Sequence, residues 1–136
     1  MKKINIFEND NPDLEVFNDN RGTIADVFYN HALNHVAIIS SEPNVIRGNH
    51  YHKETTQHML MTKGSLEYWY KDFGSDEPAK MYVAKVGDLV STKPFEIHGL
   101  RICAEGNEFI VFSEGLRGGK DYESDTYRVE SIIDDK

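Results

Sequence analysis

Turn-forming clusters punctuate this chain, and no segment between them carries helical periodicity long enough to compete with strands. They fall at Asn18-Asp19-Asn20-Arg21-Gly22, Ser41-Glu42-Pro43-Asn44, Thr62-Lys63-Gly64, Asp72-Phe73-Gly74-Ser75-Asp76-Glu77-Pro78, Val86-Gly87-Asp88 and Glu105-Gly106-Asn107. Most combine glycine or proline with short polar side chains that hydrogen-bond nearby backbone, as a reversal of chain direction requires. Between them lie runs rich in Val, Ile, Tyr, Phe and Thr, which suit a half-buried pleated surface. Strands are expected near residues 4–7, 14–17, 23–29, 35–40, 45–51, 57–62, 65–71, 79–85, 89–92, 97–103, 107–113 and 126–131. Asn30 to Asn34 reads as a short helical turn. Strands at this spacing imply an all-β sandwich or barrel, and 136 residues suit a single domain with one core.

Charge and cysteine content narrow the function. The formal net charge is −8 and no Lys/Arg cluster is longer than Lys2-Lys3, which excludes polymeric nucleic acid as a partner. An anionic small ligand remains open, because a few arginines suffice for one; Arg21, Arg47, Arg101 and Arg117 are the candidates. No apolar run approaches the ~20 residues that cross a bilayer, and the N-terminus lacks the apolar stretch of a signal peptide, so no membrane association is expected. Cys103 is the single cysteine, which forbids an intrachain disulfide and fits a reducing cytoplasm. It reads as a small buried hydrophobe rather than a nucleophile. The stretch Glu114-Gly115-Leu116-Arg117-Gly118-Gly119-Lys120-Asp121 is a glycine-rich basic patch, either closing over an anion or forming a solvated connection.

The histidines carry the chemistry. His50 and His52 stand at i and i+2, which puts both on one face of a strand. Gln57 has the opposite parity, so the register must reset before it can join them, and Thr55-Thr56 is the place for that turn. His98 follows Pro94 much later. Together these four residues form a candidate polar cluster built from distant strands; the plain alternative is a set of satisfied barrel-lining histidines. His31 and His35 read as surface residues, and His58, next to Gln57, as exterior. Phe109 to Phe112 is a continuous apolar run, as in a strand buried on both faces, and hints at a dimer packed sheet to sheet.

Two motifs in this pattern resemble the cupin superfamily. Gly48-Asn49-His50-Tyr51-His52 with Gln57 and Gly64 is similar to its first motif, with Gln57 where the superfamily usually has Glu. Gly87, Pro94 and His98 are similar to its second, without the inner glycine. Within the superfamily, Asp19-Asn20-Arg21-Gly22-Thr23-Ile24 resembles the Asp-x-Arg-Gly turn of deoxysugar epimerases and ketoisomerases. Arg47-Gly48-Asn49-His50-Tyr51-His52-Lys53 with Gln57 resembles the corresponding segment of the dTDP-4-keto-6-deoxyglucose 3,4-ketoisomerases. The segment Asp121-Tyr122-Glu123-Ser124-Asp125-Thr126-Tyr127-Arg128 is similar to their acidic-aromatic tail.

The resemblance implies a cupin-type jelly-roll barrel spanning residues 1–136, with a core of about 20–115 and the N-terminal strands and C-terminal tail packed outside. It implies a nucleotide-linked 4-keto-6-deoxy sugar as ligand, a homodimer, and 3,4-keto isomerisation through an enediol. On that reading His50 and His52 are the acid/base pair, as imidazoles with an unperturbed pKa of ~6.5 permit. Arg47 binds phosphate or the enediolate oxygen, and Gln57, Tyr51, Tyr68, Tyr70, His98 and Arg101 are further substrate contacts. No cofactor is required. The competing reading is a divalent transition metal (Zn, Fe, Mn or Ni) held by His50, His52, Gln57 and His98, with isomerase, epimerase or dioxygenase activity. A non-catalytic sugar-binding cupin is the third.

Overall fold

The computed structural model describes residues 1–8, 10–115 and 123–134. Arg117 and most of the glycine-rich stretch 114–121 therefore lie outside the described residues. The strands are β1 (Lys2–Asn5), β2 (Val16–Asp19), β3 (Gly22–Ala25), β4 (His35–Ser41), β5 (Ile46–Tyr51), β6 (Thr56–Asp72), β7 (Lys80–Ala84), β8 (Asp88–Thr92), β9 (Glu96–Glu114) and β10 (Tyr127–Arg128). No helix is present among the described residues, so the expected helical turn at Asn30 to Asn34 does not form.

Two long strands organise the molecule. β6 and β9 pair antiparallel from Thr56↔Glu114 to Asp72↔Glu96. Along one half of this ladder β8 flanks β6 and β4 flanks β9; along the other half β7 flanks β6 and β5 flanks β9. β1 extends the first half beyond β8, and β10 the second beyond β5. The result is a jelly roll whose two sheets share the same two central strands. The hairpin β2–β3 stands apart as its own sheet.

Each of these strands was expected as two, broken at Thr62-Lys63-Gly64 and Glu105-Gly106-Asn107. The glycines act as bulges instead of turns. The register shifts between Met61 and Lys63 and again between Gly64 and Leu66, which bends the ladder without breaking it. Gly64 has φ +69°, and a Cβ there would lie 2.3 Å from the Gly106 carbonyl oxygen. Gly64→Ala is therefore expected to destabilise the fold by about 2–4 kcal/mol, from the left-handed conformation plus a clash with backbone that cannot step aside. Urea denaturation checks it; an unchanged midpoint would mean that the bend is not constrained.

Side chains alternating inward from β6 and β9 make the core: Met59, Met61, Leu66 and Tyr68 face Leu100, Ile102, Phe109 and Val111. The run Phe109 to Phe112 is covered on both faces, as expected, but the cover comes from this chain. Ile110 and Phe112 pack with Ile4, Ile6, Val27, Phe28, Leu60 and Leu89 on the outer side, so two-sided burial of this strand needs no partner subunit. That segment also covers His58, expected as exterior: it faces outward yet is only 8% exposed. His35, expected at the surface, is half-buried and pairs across the ladder with Ser113.

Candidate functional site

One cavity of about 330 Å³ opens into the barrel, lined on its polar side by Arg47, His50, Gln57, His98 and Arg128 and on its apolar side by Met59, Leu100, Phe109 and Val111 among others. Two irregularities in the chain bring the polar set together. The first is a bulge in β5. Arg47 pairs with Leu100 and Gly48 with Gly99, but His50 pairs with His98, so Asn49 is the extra residue. Gly48 (φ +82°) and Asn49 (φ +57°) supply the left-handed backbone. Arg47 and His50, of opposite parity, thereby face the same side.

The second irregularity is the reset between His52 and Gln57. Residues 53–55 bend around the Asp125 carboxylate, which accepts hydrogen bonds from the backbone N–H of Lys53 (2.9 Å), Glu54 (2.9 Å) and Thr55 (2.8 Å) and from the Thr55 hydroxyl (2.8 Å). Burial raises the pKa of this carboxyl, but the donors outweigh it, and the net shift is downward. The bend delivers the Gln57 amide to 3.1 Å from His52 Nε2.

Three imidazoles converge here. Ring centroids are 4.7 Å apart for His50 and His98, 4.9 Å for His50 and His52, and 5.3 Å for His52 and His98. His52 Nδ1–H donates to the Asp125 carbonyl (2.7 Å) and His98 Nδ1–H to the Glu96 carbonyl (3.0 Å). A carbonyl only accepts, so the neutral His98 ring keeps its lone pair on Nε2, whereas His52 has an acceptor oxygen at each nitrogen, the Asp125 carbonyl at Nδ1 and Gln57 Oε1 at Nε2. The donor atoms of all three rings lie within 4.8 Å of one another. Such a set, with the Gln57 amide beside it, suits a divalent transition ion as well as proton transfer.

His50 and His98 line the cavity, whereas His52 lies outside its lining, fully buried between Asp125 and Gln57. Gln57 Nε2 is buried without a hydrogen-bond partner among the described residues, and so are Ser113 Oγ and His35 Nδ1. These three residues are cross-strand neighbours on one face, Gln57 opposite Ser113 and Ser113 opposite His35. A buried polar row of this kind calls for water or a ligand.

The remaining sequence candidates are placed elsewhere. Tyr51 points to the opposite face of β5 from His50 and stacks on Tyr127 and Phe95, with Phe73 4.7 Å away. Tyr68 is fully buried behind His98, its ring parallel to the imidazole to within 7° at 6.2 Å. Its hydroxyl donates to Glu96 (3.0 Å), and burial together with that carboxylate holds its pKa well above the usual phenol range. Tyr70 is half-buried beside Tyr68 and borders a separate cavity with Lys71, Lys93 and Glu96. Arg101 points away, 3.5 Å from Glu67 and donating to the Asp134 carbonyl. Arg21 pairs with Asp19 at the tip of the β2–β3 hairpin. Cys103 is half-buried and donates to the Gly106 carbonyl.

Arg128 and Asp125 were missing from the candidates. Arg128 pairs with His50 across β5 and β10, which puts it on the cavity face. Both belong to the tail segment whose composition resembled that of the ketoisomerases, but nothing local marked either one.

The family model described as "Polysaccharide biosynthesis C-terminal domain" matches residues 17–114. No curated protein matches the chain significantly. Among solved structures, a 3,4-ketoisomerase from Helicobacter canadensis is similar with a TM-score of 0.73 at 20% identity, over 94% of this chain and 90% of that one. A sugar 3,4-ketoisomerase from Thermoanaerobacterium thermosaccharolyticum in complex with TDP gives 0.69 at 19% identity, over 86% and 85%. A dTDP-4-dehydrorhamnose 3,5-epimerase from Sulfolobus tokodaii gives 0.68 at 22% identity, over 88% and 76%. These likenesses establish the fold as the cupin jelly roll.

Proposed function

The chain belongs to the polysaccharide biosynthesis C-terminal domain family, and from that premise we propose that it isomerises a nucleotide-linked 4-keto-6-deoxy sugar, moving the carbonyl from C4 to C3 through an enediol. The observation that carries the proposal is the pair of imidazoles, His50 and His98, that reach one cavity from adjacent strands beside two arginines. The cavity volume suits a sugar ring, with the nucleotide extending out of its mouth.

The chemistry is balanced without a redox partner. One imidazole removes the proton on C3 as the C4 oxygen takes up a proton, which gives the enediol; the C3 hydroxyl then gives up its proton as C4 is protonated, leaving the carbonyl at C3 and a hydroxyl at C4. His50 and His98 take the two transfers at carbon. His52, paired with His50 in the sequence reading, has the supporting role of holding Gln57. Arg47 is anchored through Nε to the Ser41 hydroxyl (2.7 Å) and through Nη2 to the Ser40 carbonyl (3.1 Å), so its guanidinium stands ready for a phosphate. Arg128 is 65% exposed and pairs with Glu123 at 2.9 Å. Exchanging that partner for a diphosphate is inexpensive, since exposed ion pairs contribute little.

The test is proton NMR of the reaction in D₂O with a panel of dTDP- and GDP-linked 4-keto-6-deoxy sugars. The expected product is the 3-keto sugar with deuterium at C4. Deuterium at C3 or C5 with the carbonyl still at C4 indicates an epimerase instead, and no exchange with any sugar removes enzymatic action on this class. Arg128→Ala is expected to weaken binding of TDP about tenfold while leaving kcat near the parent value, the signature of a group that binds ground state and transition state alike. Calorimetric titration checks it, and equal affinity would take Arg128 out of the anion site.

A second reading has its own observation. Nitrogens of His50, His52 and His98 lie within 4.8 Å of one another, with Gln57 Oε1 3.1 Å from His52 Nε2, a set of side chains that suits a divalent transition ion. An ion there would polarise the keto oxygen as a Lewis acid. Retention of activity after exhaustive chelation, with metal content below a tenth of an equivalent, would sink this reading.

A further inference from the structure

A second group of ligand-type side chains lies outside the barrel. His58 and Glu114 alternate with the inward-facing Gln57 and Ser113, so both point to the outer face of their strands. His31, in the segment after β3, meets them there. His31 Nε2 and His58 Nε2 aim at the same carboxylate oxygen, Glu114 Oε2, at 2.9 and 2.6 Å. The two rings are 5.7 Å apart and nearly perpendicular, at 87°. Phe28 packs 5.1 Å from each ring and gives the group an apolar wall.

We propose that His31, His58 and Glu114 bind one divalent transition-metal ion of the zinc type, which fastens the segment after β3 to the ends of β6 and β9. Two neutral imidazoles and one carboxylate are a ligand set zinc takes readily, with a fourth position left for water. The donor atoms all lie within 4.8 Å of one another. A tetrahedral ion with bonds of about 2.0–2.1 Å holds its ligand atoms about 3.3–3.4 Å apart. The His31–Glu114 contact must therefore open by about 0.4 Å and the His58–Glu114 contact by about 0.7 Å; His31, on an exposed connecting segment, can supply the first movement and the partly exposed Glu114 carboxylate the second.

Two further features favour the ion. His58 Nδ1 lies 2.6 Å from Ser91 Oγ, which can accept the Nδ1 proton and leave Nε2 as the coordinating lone pair. The segment is also already held in place: the Asn34 side chain and Gly115 backbone exchange two hydrogen bonds, Nδ2 to the carbonyl and N–H to Oδ1. The site is thus largely formed before an ion arrives, and ordering costs little.

The test is equilibrium dialysis of metal-free, untagged protein against Co²⁺ and, separately, Zn²⁺, comparing the parent with His31→Ala. His31 is exposed, so its removal leaves the fold intact, as circular dichroism will verify. The parent is expected to bind one ion more than His31→Ala at micromolar free metal, and His50→Asn/His98→Asn is expected to retain that ion with its visible Co²⁺ absorption. Equal stoichiometry in parent and His31→Ala, or a difference seen only at millimolar metal, would overturn the proposal and leave a proton-bridged His–Glu–His cluster. The readout is metal binding alone, independent of the proposed isomerase.

Discussion

Asp125→Ala is expected to lower folding stability by about 3–5 kcal/mol, a large part of the 5–15 kcal/mol that holds a domain of this kind together. The carboxylate is 2% exposed and satisfies three backbone N–H groups and one hydroxyl of the 53–55 bend. Truncation removes every acceptor at once. Water can replace it at the amides of the exposed Lys53 and Glu54, but Thr55 is fully buried, and its donors bear most of the penalty. Asp125→Asn keeps one acceptor oxygen and turns an amide against the remaining donors, so an intermediate loss is expected. Urea titration at neutral pH measures both, and a loss below about 1 kcal/mol for the alanine variant would show that the bend holds without the carboxylate. The pH dependence has a fixed sign. Folding lowers the pKa of this carboxyl, so its stabilisation is complete above the unfolded value of about 3.9 and fades as pH falls through the lower native value.

His50→Asn is expected to reduce kcat by a factor of about 10²–10⁴ on the sugar that the D₂O assay identifies, the range general acid–base catalysis usually supplies. Asparagine preserves size and hydrogen bonding but cannot exchange a proton near neutral pH. Thermal stability should change little, since the side chain borders the cavity and packs against other imidazoles in place of the apolar core. His98→Asn is expected to fall in the same range, and the two losses should combine to less than their product if both act in one proton-transfer sequence. A kcat within twofold of the parent for either variant would remove that residue from the proton transfers.

Much of the architecture was legible in the sequence, because alternation and turn chemistry act locally. The all-β class, most strand positions and the need for a reset between His52 and Gln57 all follow from neighbouring residues. What was misjudged depends on partners remote in sequence. Gly64 and Gly106 read as turns, since glycine marks turns and bulges alike, and only their mutual proximity selects the bulge. Tyr51 and Arg101 were grouped with the cavity residues for their side-chain chemistry, a hydrogen-bonding ring and an anion-binding cation, yet strand alternation turns them to the other face. Arg47 reaches the cavity only because Asn49 is an extra residue, a feature that becomes visible once β5 is laid beside β9. Asp125 was one acid among many until the bend it holds came into view.

Pinning His52 to Asp125, and setting Arg128 opposite His50, gives the molecule an order of assembly. The barrel strands through Glu114 can pair as soon as they leave the ribosome, but the bend at 53–55 and the second arginine wait for a segment made some seventy residues after His52. A nascent chain that stops short of Asp125 therefore lacks both the acceptor that holds the 53–55 bend and the second arginine. On the isomerase reading proposed above, the site is complete only on a chain whose synthesis has passed Arg128.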